Sequence, residues 1–392
     1  MGPMRWRRAT ALAALALVGV GVGGAPARAQ SLVVIGGGLD DPAIYDRIIE
    51  LGGGPGKARI GILTTGSGTP EEGARLYVDA FAARGGKAEW LPLTSKRRGG
   101  AEDPALVEQA GRCNVFFLGG GDQRRYTRAL LRRDGSDTAL LRAIRRAYEA
   151  GGVVAGTSAG AAVLVSAPMV TGGESYDALA RPRRVTDRRR GGLGLFRFGL
   201  IDTHFGERGR QGRIIRLAAR RRIELAFGVD EDTALVVTGA LGPRPAMEAV
   251  GKGGVSVFDL TRARVNRRGR WAIENLRSHY LLAGDSFSVK DRRFRPRPGR
   301  ARDDAPIDSE AADRGDLFSA VDSKARARLR PRSFIRTARS AMSRGAGAAT
   351  GHPAEDASWR VTLRRGRGAA RYRGGSYRNL RIDIRRSGRG RR

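Results

Sequence analysis

Gly156-Thr157-Ser158-Ala159-Gly160 fits the pattern G-x-S-x-G, and it lies between the apolar run Val153-Val154-Ala155 and the small apolar stretch from Ala159 to Val165. A serine between a buried strand and a helix sits on a sharp turn, a nucleophile elbow, with its hydroxyl lifted above the sheet edge. Glycine flanks such a turn because the backbone is crowded and its dihedrals disfavour a Cβ. The N–H of Ala159, at the helix start, can face the charge that develops on a carbonyl oxygen under attack. Ser158 is therefore the candidate nucleophile, and a serine nucleophile needs a base. The chain has three histidines. His352 lies in an Arg-rich C-terminal stretch and His279 in a late strand-like run. His204 follows Phe198-Gly199-Leu200-Ile201-Asp202, a strand whose end should face the elbow, because α/β sites gather where strands end. His204 is the expected base. Three acids could orient it: Glu174 and Asp177, in the loop after Val170, and Asp202, two residues away on the same strand face.

Two further groups surround this pair. Gly119-Gly120-Gly121-Asp122-Gln123 closes another strand; Gly121 can supply a second oxyanion donor and Gln123 a hydrogen bond to an amide substrate. Arg208, Arg210 and Arg213 follow His204 and carry the planar fork that binds a carboxylate through two hydrogen bonds. The Gly36-Gly37-Gly38 turn lacks the full G-x-G-x-x-G pattern, so it makes a weak case for a dinucleotide. One cysteine and three histidines argue against zinc. Cys113, beside Val115-Phe116-Phe117-Leu118, reads as a buried core thiol. No cofactor or metal is implied.

The elements that must hold these residues alternate. Apolar runs at Leu32 to Ile35, Ile60 to Leu63, Val115 to Leu118 and Val153 to Ala155 are separated by helix-period stretches, which implies a mainly parallel sheet buried on both faces. The fold class is α/β, a three-layer α/β/α sandwich. Val255 to Phe258 and His279 to Leu282 follow without helices between them and predict an antiparallel edge. Residues 1–29 read as a secretory signal peptide: Arg5, Arg7 and Arg8, an apolar segment over 11–24, and the A-x-A site Ala27-Arg28-Ala29. A secreted or periplasmic location follows as an expectation. Residues 30–290 form the expected catalytic domain. Residues 291–392 hold 28 basic and 11 acidic residues, and Arg, Pro, Gly and Ser dominate, so they read as a largely disordered tail. The formal charge of +34 suits contact with a polyanion such as an acidic envelope polymer. A homodimer is compatible with the sequence.

Four segments in order, Gly119 to Gln123 (GGGDQ), Gly156 to Ala161 (GTSAGA), Asp202 to Arg213 (DTHFGERGRQGR) and Val229 to Ala234 (VDEDTA), resemble the cyanophycinase family of serine peptidases, over roughly Ser31 to Val289. That family hydrolyses cyanophycin, a poly-aspartate with arginine on each side-chain carboxyl, to β-Asp-Arg dipeptides. The resemblance implies Ser158 as nucleophile, His204 as base and an acid from the Glu174–Asp177 loop. It implies Gln123, Asp202, Arg208, Arg210 and Arg213 as substrate-pocket residues, with Thr203 where the family has Gln. Related aspartyl dipeptidases usually lack the GGDQ and H-F-x-x-R-x-R elements, both present here, and rank second. A generic esterase would need His279 as base. A polyanion-binding envelope protein would keep the elbow only as scaffold.

Overall fold

The computed structural model describes residues 29–95, 99–266, 270–307, 316–318 and 333–387. The predicted signal peptide, apart from its last residue, lies outside them. The first half runs β1 (Ser31–Ile35), α1 (Pro42–Leu51), β2 (Arg59–Leu63), α2 (Pro70–Ala82), β3 (Lys87–Trp90), α3 (Pro104–Gly111), β4 (Val115–Leu118), α4 (Gln123–Leu130), α5 (Ala139–Glu149), β5 (Val153–Thr157) and the one-turn α6 (Ala159–Ala162). Strands pair as β1-β5-β4-β2-β3, all parallel. The runs of β1, β4 and β5 are buried throughout because both faces are covered, while β3, Lys87 to Trp90, is the partly exposed edge. Val33 and Ile35 of β1 pack with α1 and α2, while Leu32 and Val34 pack with α3, α4 and α5. Asp41, Asp103 and Asp122 accept an N–H from the first turns of α1, α3 and α4, which satisfies donors that a helix leaves free at its start.

The chain continues through β6 (Met169–Gly172), α7 (Ser175–Ala180), β7 (Thr186–Arg188), β8 (Leu200–Asp202), α8 (Gln211–Arg221), β9 (Leu225–Val229), β10 (Thr233–Thr238), β11 (Ala246–Gly251), β12 (Gly254–Asp259), β13 (Arg264–Asn266), β14 (Ala272–Leu282), β15 (Ser286–Ser288) and β16 (Arg293–Arg295). Strand β10 runs antiparallel to β1, with β11, β15 and β16 beyond it, so the first sheet has an antiparallel edge. The expectation of one central sheet needs a correction. Strands β8 and β9 belong to a second, mainly antiparallel sheet with β12 and β14. One face of that sheet packs on the first sheet, through Phe227, Val257 and Leu281, and the other packs on α8, through Leu200, Ala226 and Phe258. A strand buried on both faces does not reveal in sequence which sheet it joins.

The C-terminal stretch departs furthest from expectation. Its described part forms α9 (Ser333–Ala341), β17 (Ala348–Gly351), β18 (Trp359–Arg371) and β19 (Tyr377–Arg386). Strand β19 pairs with β14, β18 with β19, and β17 with β18. Alternation explains this: Trp359, Val361 and Leu363 point into the core, while Arg360 and Arg364, on the opposite face, are exposed and Thr362 is half-buried. The reading of this stretch as a disordered tail is therefore wrong for 333–387.

His279 of β14 is buried between Phe287 and Phe294, and neither ring nitrogen has a partner among the described residues. Burial pushes its pKa down to about 4. Between about 6.5, its unfolded value, and about 4 the unfolded chain binds a proton that the folded one does not, so stability falls as pH drops through that window. The loss is expected to approach about 3 kcal/mol at about 1.4 kcal/mol per unit. Urea unfolding from pH 7 to pH 4 checks it, and His279→Leu should flatten this part of the profile.

Candidate active site

Ser158 joins β5 to α6 with φ +51° and ψ −111°, a conformation that costs a non-glycine residue energy and persists where surroundings enforce it. The enforcement is visible. Its N–H donates to the Ile35 carbonyl at 3.0 Å. The flanking glycines are needed for close approach: a Cβ on Gly156 would lie 2.3 Å from the Gly160 carbonyl oxygen, and one on Gly160 would lie 2.0 Å from the Leu118 carbonyl oxygen.

His204 follows β8 and reaches the same edge, with its Nε2 2.7 Å from Ser158 Oγ. Its Nδ1 lies 2.6 Å from Glu231 Oε1. A carboxylate only accepts, so Nδ1 carries the hydrogen and Nε2 is free to accept from the serine hydroxyl. Burial, and then the nearby Arg208 charge, lower the His204 pKa, while the hydrogen bond to Glu231 opposes them. The imidazole is therefore neutral at neutral pH, as a base must be. Glycine makes room for it: a Cβ on Gly37 would lie 2.2 Å from His204 Cε1. The turn that made a weak dinucleotide motif is the wall of the histidine.

The carboxylate on His204 is Glu231, in the turn between β9 and β10, and neither Glu174 nor Asp177. Glu174 sits at the start of α7, and Asp177 pairs with Arg181 at 2.8 Å and Arg184 at 3.6 Å. The remaining acids of the Val229–Ala234 segment also have work. Asp230, fully buried, accepts the Gly206 N–H at 2.9 Å and the Tyr280 hydroxyl at 2.6 Å. Asp232 accepts the N–H groups of Asp40 and Asp41, each at 2.7 Å. Together they tie the His204 loop, the Gly36–Gly38 turn and the β9–β10 turn into one frame. The segment was conspicuous in sequence as a motif, but three acids in a row gave no sign of which one reaches the histidine.

The arginines divide. Arg213 donates to both Asp202 oxygens at 2.6 Å and to the Gly173 carbonyl at 2.7 Å. Asp202 is buried; burial opposes its charge, but Arg213 and then Arg210 hold its pKa below the usual value. The two expected substrate contacts Asp202 and Arg213 thus satisfy each other, and Asp202 also receives the Thr203 N–H at 3.0 Å. Arg210 donates to Asp202 at 3.2 Å and to the Thr203 carbonyl at 2.7 Å, leaving its Nε without a partner among the described residues. Arg208 is half-buried, near enough to His204 to depress its pKa, and its guanidinium has no partner among the described residues. Gln123 opens α4 and donates to the Val170 carbonyl at 2.9 Å, anchoring the loop beyond the elbow. Gly120 faces Ser158, its added Cβ falling 3.7 Å from the serine Cβ. The next peptide N–H belongs to Gly121. Cys113 is buried, with its thiol pKa pushed up to about 12 chiefly by burial. His279 belongs to the second sheet, while Ser158 already faces His204, so the arrangement required by a generic esterase is absent.

The model of peptidase family S51 matches residues 77–241. A cyanophycinase of Geminocystis herdmanii is 32% identical over 271 residues, spanning 67% of this chain and 94% of that protein. Cyanophycinases of Thermosynechococcus vestitus and of Nostoc sp. are each 31% identical, over 272 and 283 residues, spanning 67% and 69% of this chain and 80% and 90% of theirs. The hydrogen-bonded serine and histidine lie within the region matched by the family model. By this similarity over nearly the full length of its relatives, the chain belongs to peptidase family S51 and is a serine-type peptidase.

Proposed function

We propose that the chain hydrolyses β-aspartyl-arginine material of the cyanophycin type through an acyl-enzyme on Ser158. The observation that carries this reading is the hydrogen-bonded row Ser158, His204 and Glu231. As Oγ bonds to the substrate carbonyl carbon, its proton passes to His204 Nε2, and Glu231 steadies the resulting imidazolium. The N–H groups of Ala159 and Gly121 face the oxyanion. His204 returns the proton to the leaving nitrogen as the C–N bond breaks. Water then repeats the sequence on the ester, freeing the acid and restoring the hydroxyl. Arg208, with the partly free Arg210, offers the fork for a substrate carboxylate. Three relatives are cyanophycinases by name, which supports the substrate class. Incubation of the purified protein with cyanophycin should release β-Asp-Arg. Cleavage of α-aspartyl dipeptides in its place would assign the second specificity.

The N-terminal segment supports export, and the arginines outward on β18 and β19 would hold the enzyme to an anionic envelope polymer. Cell fractionation tests the first, and salt-dependent retention on an anionic matrix the second.

Because His204 is neutral in the resting site, kcat/KM on an uncharged ester should fall on the acid side with a midpoint below 6.5. Arg208→Ala removes a positive neighbour and should move that midpoint upward. A midpoint unmoved by the substitution would show that the Arg208 charge does not reach the imidazole.

A further inference from the structure

We propose that Ser175, at the start of α7, is the residue that positions Arg208 and Arg210 for a substrate carboxylate. The assignment deepens the carboxylate-binding reading above and rests on it. The helix that follows these arginines, α8, has no cap of its own. A helix leaves its first N–H groups without partners, and a Ser, Thr, Asp or Asn just before it commonly accepts one. Here that position holds Arg210, whose side chain has no acceptor and makes no capping bond.

The missing oxygen comes from another element. Ser175 Oγ accepts the Gly212 N–H at 3.0 Å and the Arg213 N–H at 3.3 Å. Its own hydrogen goes to the Gly209 carbonyl at 2.5 Å. One hydrogen and two lone pairs are thereby used in full, on a side chain only 1% exposed. The three bonded groups bracket the arginines. Gly209 lies between Arg208 and Arg210 with φ +54°, and its peptide plane sets the direction in which both side chains leave the chain. Gly212 and Arg213 lie just beyond, in the first turn of α8. A hydroxyl that holds both sides of Arg210 lets this position carry a guanidinium where a helix start otherwise favours a capping side chain. The fit is close: a Cβ on Gly212 would lie 2.9 Å from Ser175 Cβ and 3.2 Å from its Oγ. Two residues before Ser175, the Gly173 carbonyl accepts the Arg213 guanidinium at 2.7 Å. The turn into α7 thus grips the arginine segment by side chain and by backbone. Glu174 and Asp177, the acids expected to serve His204, flank a serine that serves the arginines. Its hydroxyl bonds to none of Ser158, His204 and Glu231, so its loss should be felt in binding and not in acyl transfer.

Two cyanophycin-type peptides test this, one with its arginine carboxylates free and one with those groups as carboxamides. The unsubstituted protein should favour the carboxylate peptide in KM, and Arg208→Ala should erase that preference. Ser175→Ala should raise KM for the carboxylate peptide about tenfold, the share of one charge-assisted hydrogen bond, with kcat within about twofold and KM for the carboxamide peptide unmoved. Gly212→Ala keeps the hydroxyl but drives a methyl group against it. It should give the same split, although alanine by itself favours a helix over glycine. If Ser175→Ala does not fold, Gly212→Ala carries the comparison. A KM that rises equally for both peptides, a kcat that falls for both, or a preference that survives both substitutions would overturn the assignment. An unsubstituted protein with no preference between the peptides would instead remove the carboxylate reading, and the assignment with it.

Discussion

Ser158→Ala should lower turnover of a β-aspartyl peptide by about 10⁴-fold to 10⁶-fold, and His204→Ala by a similar factor, with the double variant little worse than either. Groups that act on one proton do not contribute additively. The sharper comparison is among the acids. Glu231→Gln keeps the size of the side chain but removes the charge 2.6 Å from His204 Nδ1. The amide can turn its NH₂ toward the ring and favour the wrong tautomer, and such a change in a serine triad costs about 10⁴-fold. Glu174→Gln and Asp177→Asn touch no group on the imidazole and should leave ester hydrolysis near the unsubstituted rate. If either of these falls as far as Glu231→Gln, the geometry of the row does not describe the working enzyme. A serine-directed label on Ser158 should disappear in Ser158→Ala and survive, slowed, in Glu231→Gln.

The serine and the histidine were legible because each has a local signature. The elbow needs glycine on both sides of a strand-to-helix turn, and the chain provides few histidines to choose from. The third group had no such mark. Glu231 comes from a turn between strands of two different sheets, and its approach to His204 depends on β9 leaving the first sheet. Nothing in the apolar run Leu225 to Val229 says so, because strands of either sheet are buried on both faces here. The arginine cluster was visible as charge, yet its division was not. That Arg213 turns inward to Asp202 while Arg208 stays open depends on where α8 begins relative to β8. The C-terminal strands were obscured differently. Arginine on the outward positions of β18 and β19 swamped an alternation that a polar mixture would have left plain.

Those strands lead to the second large effect. Removal of residues 291–392 is expected to abolish cooperative folding, and hydrolysis of even a small ester with it. Strand β14 is hydrogen-bonded to β12 on one side and to β19 on the other, so truncation opens a long edge in the middle of the second sheet. It also strips Phe334, Trp359, Leu363, Leu380, Ile382 and Ile384 from a core cluster shared with α8. Replacing one such side chain by alanine costs about 2–5 kcal/mol, and a domain holds about 5–15 kcal/mol in all. The loss reaches the catalytic edge through named contacts. Tyr377 of β19 stacks on Tyr280 of β14 at 5.9 Å, Tyr280 donates to Asp230 at 2.6 Å, and Asp230 holds the Gly206 N–H two residues beyond His204. Tyr280→Phe leaves the buried Asp230 short of one donor and should cost about 1–3 kcal/mol. Ile382→Ala should lower the thermal midpoint while leaving kcat of the folded fraction nearly intact. Thermal unfolding and active-site titration of the three proteins separate these outcomes. A truncated chain that melts at the same temperature and still hydrolyses ester would show that the first 290 residues fold alone, with the last hundred an accessory sheet.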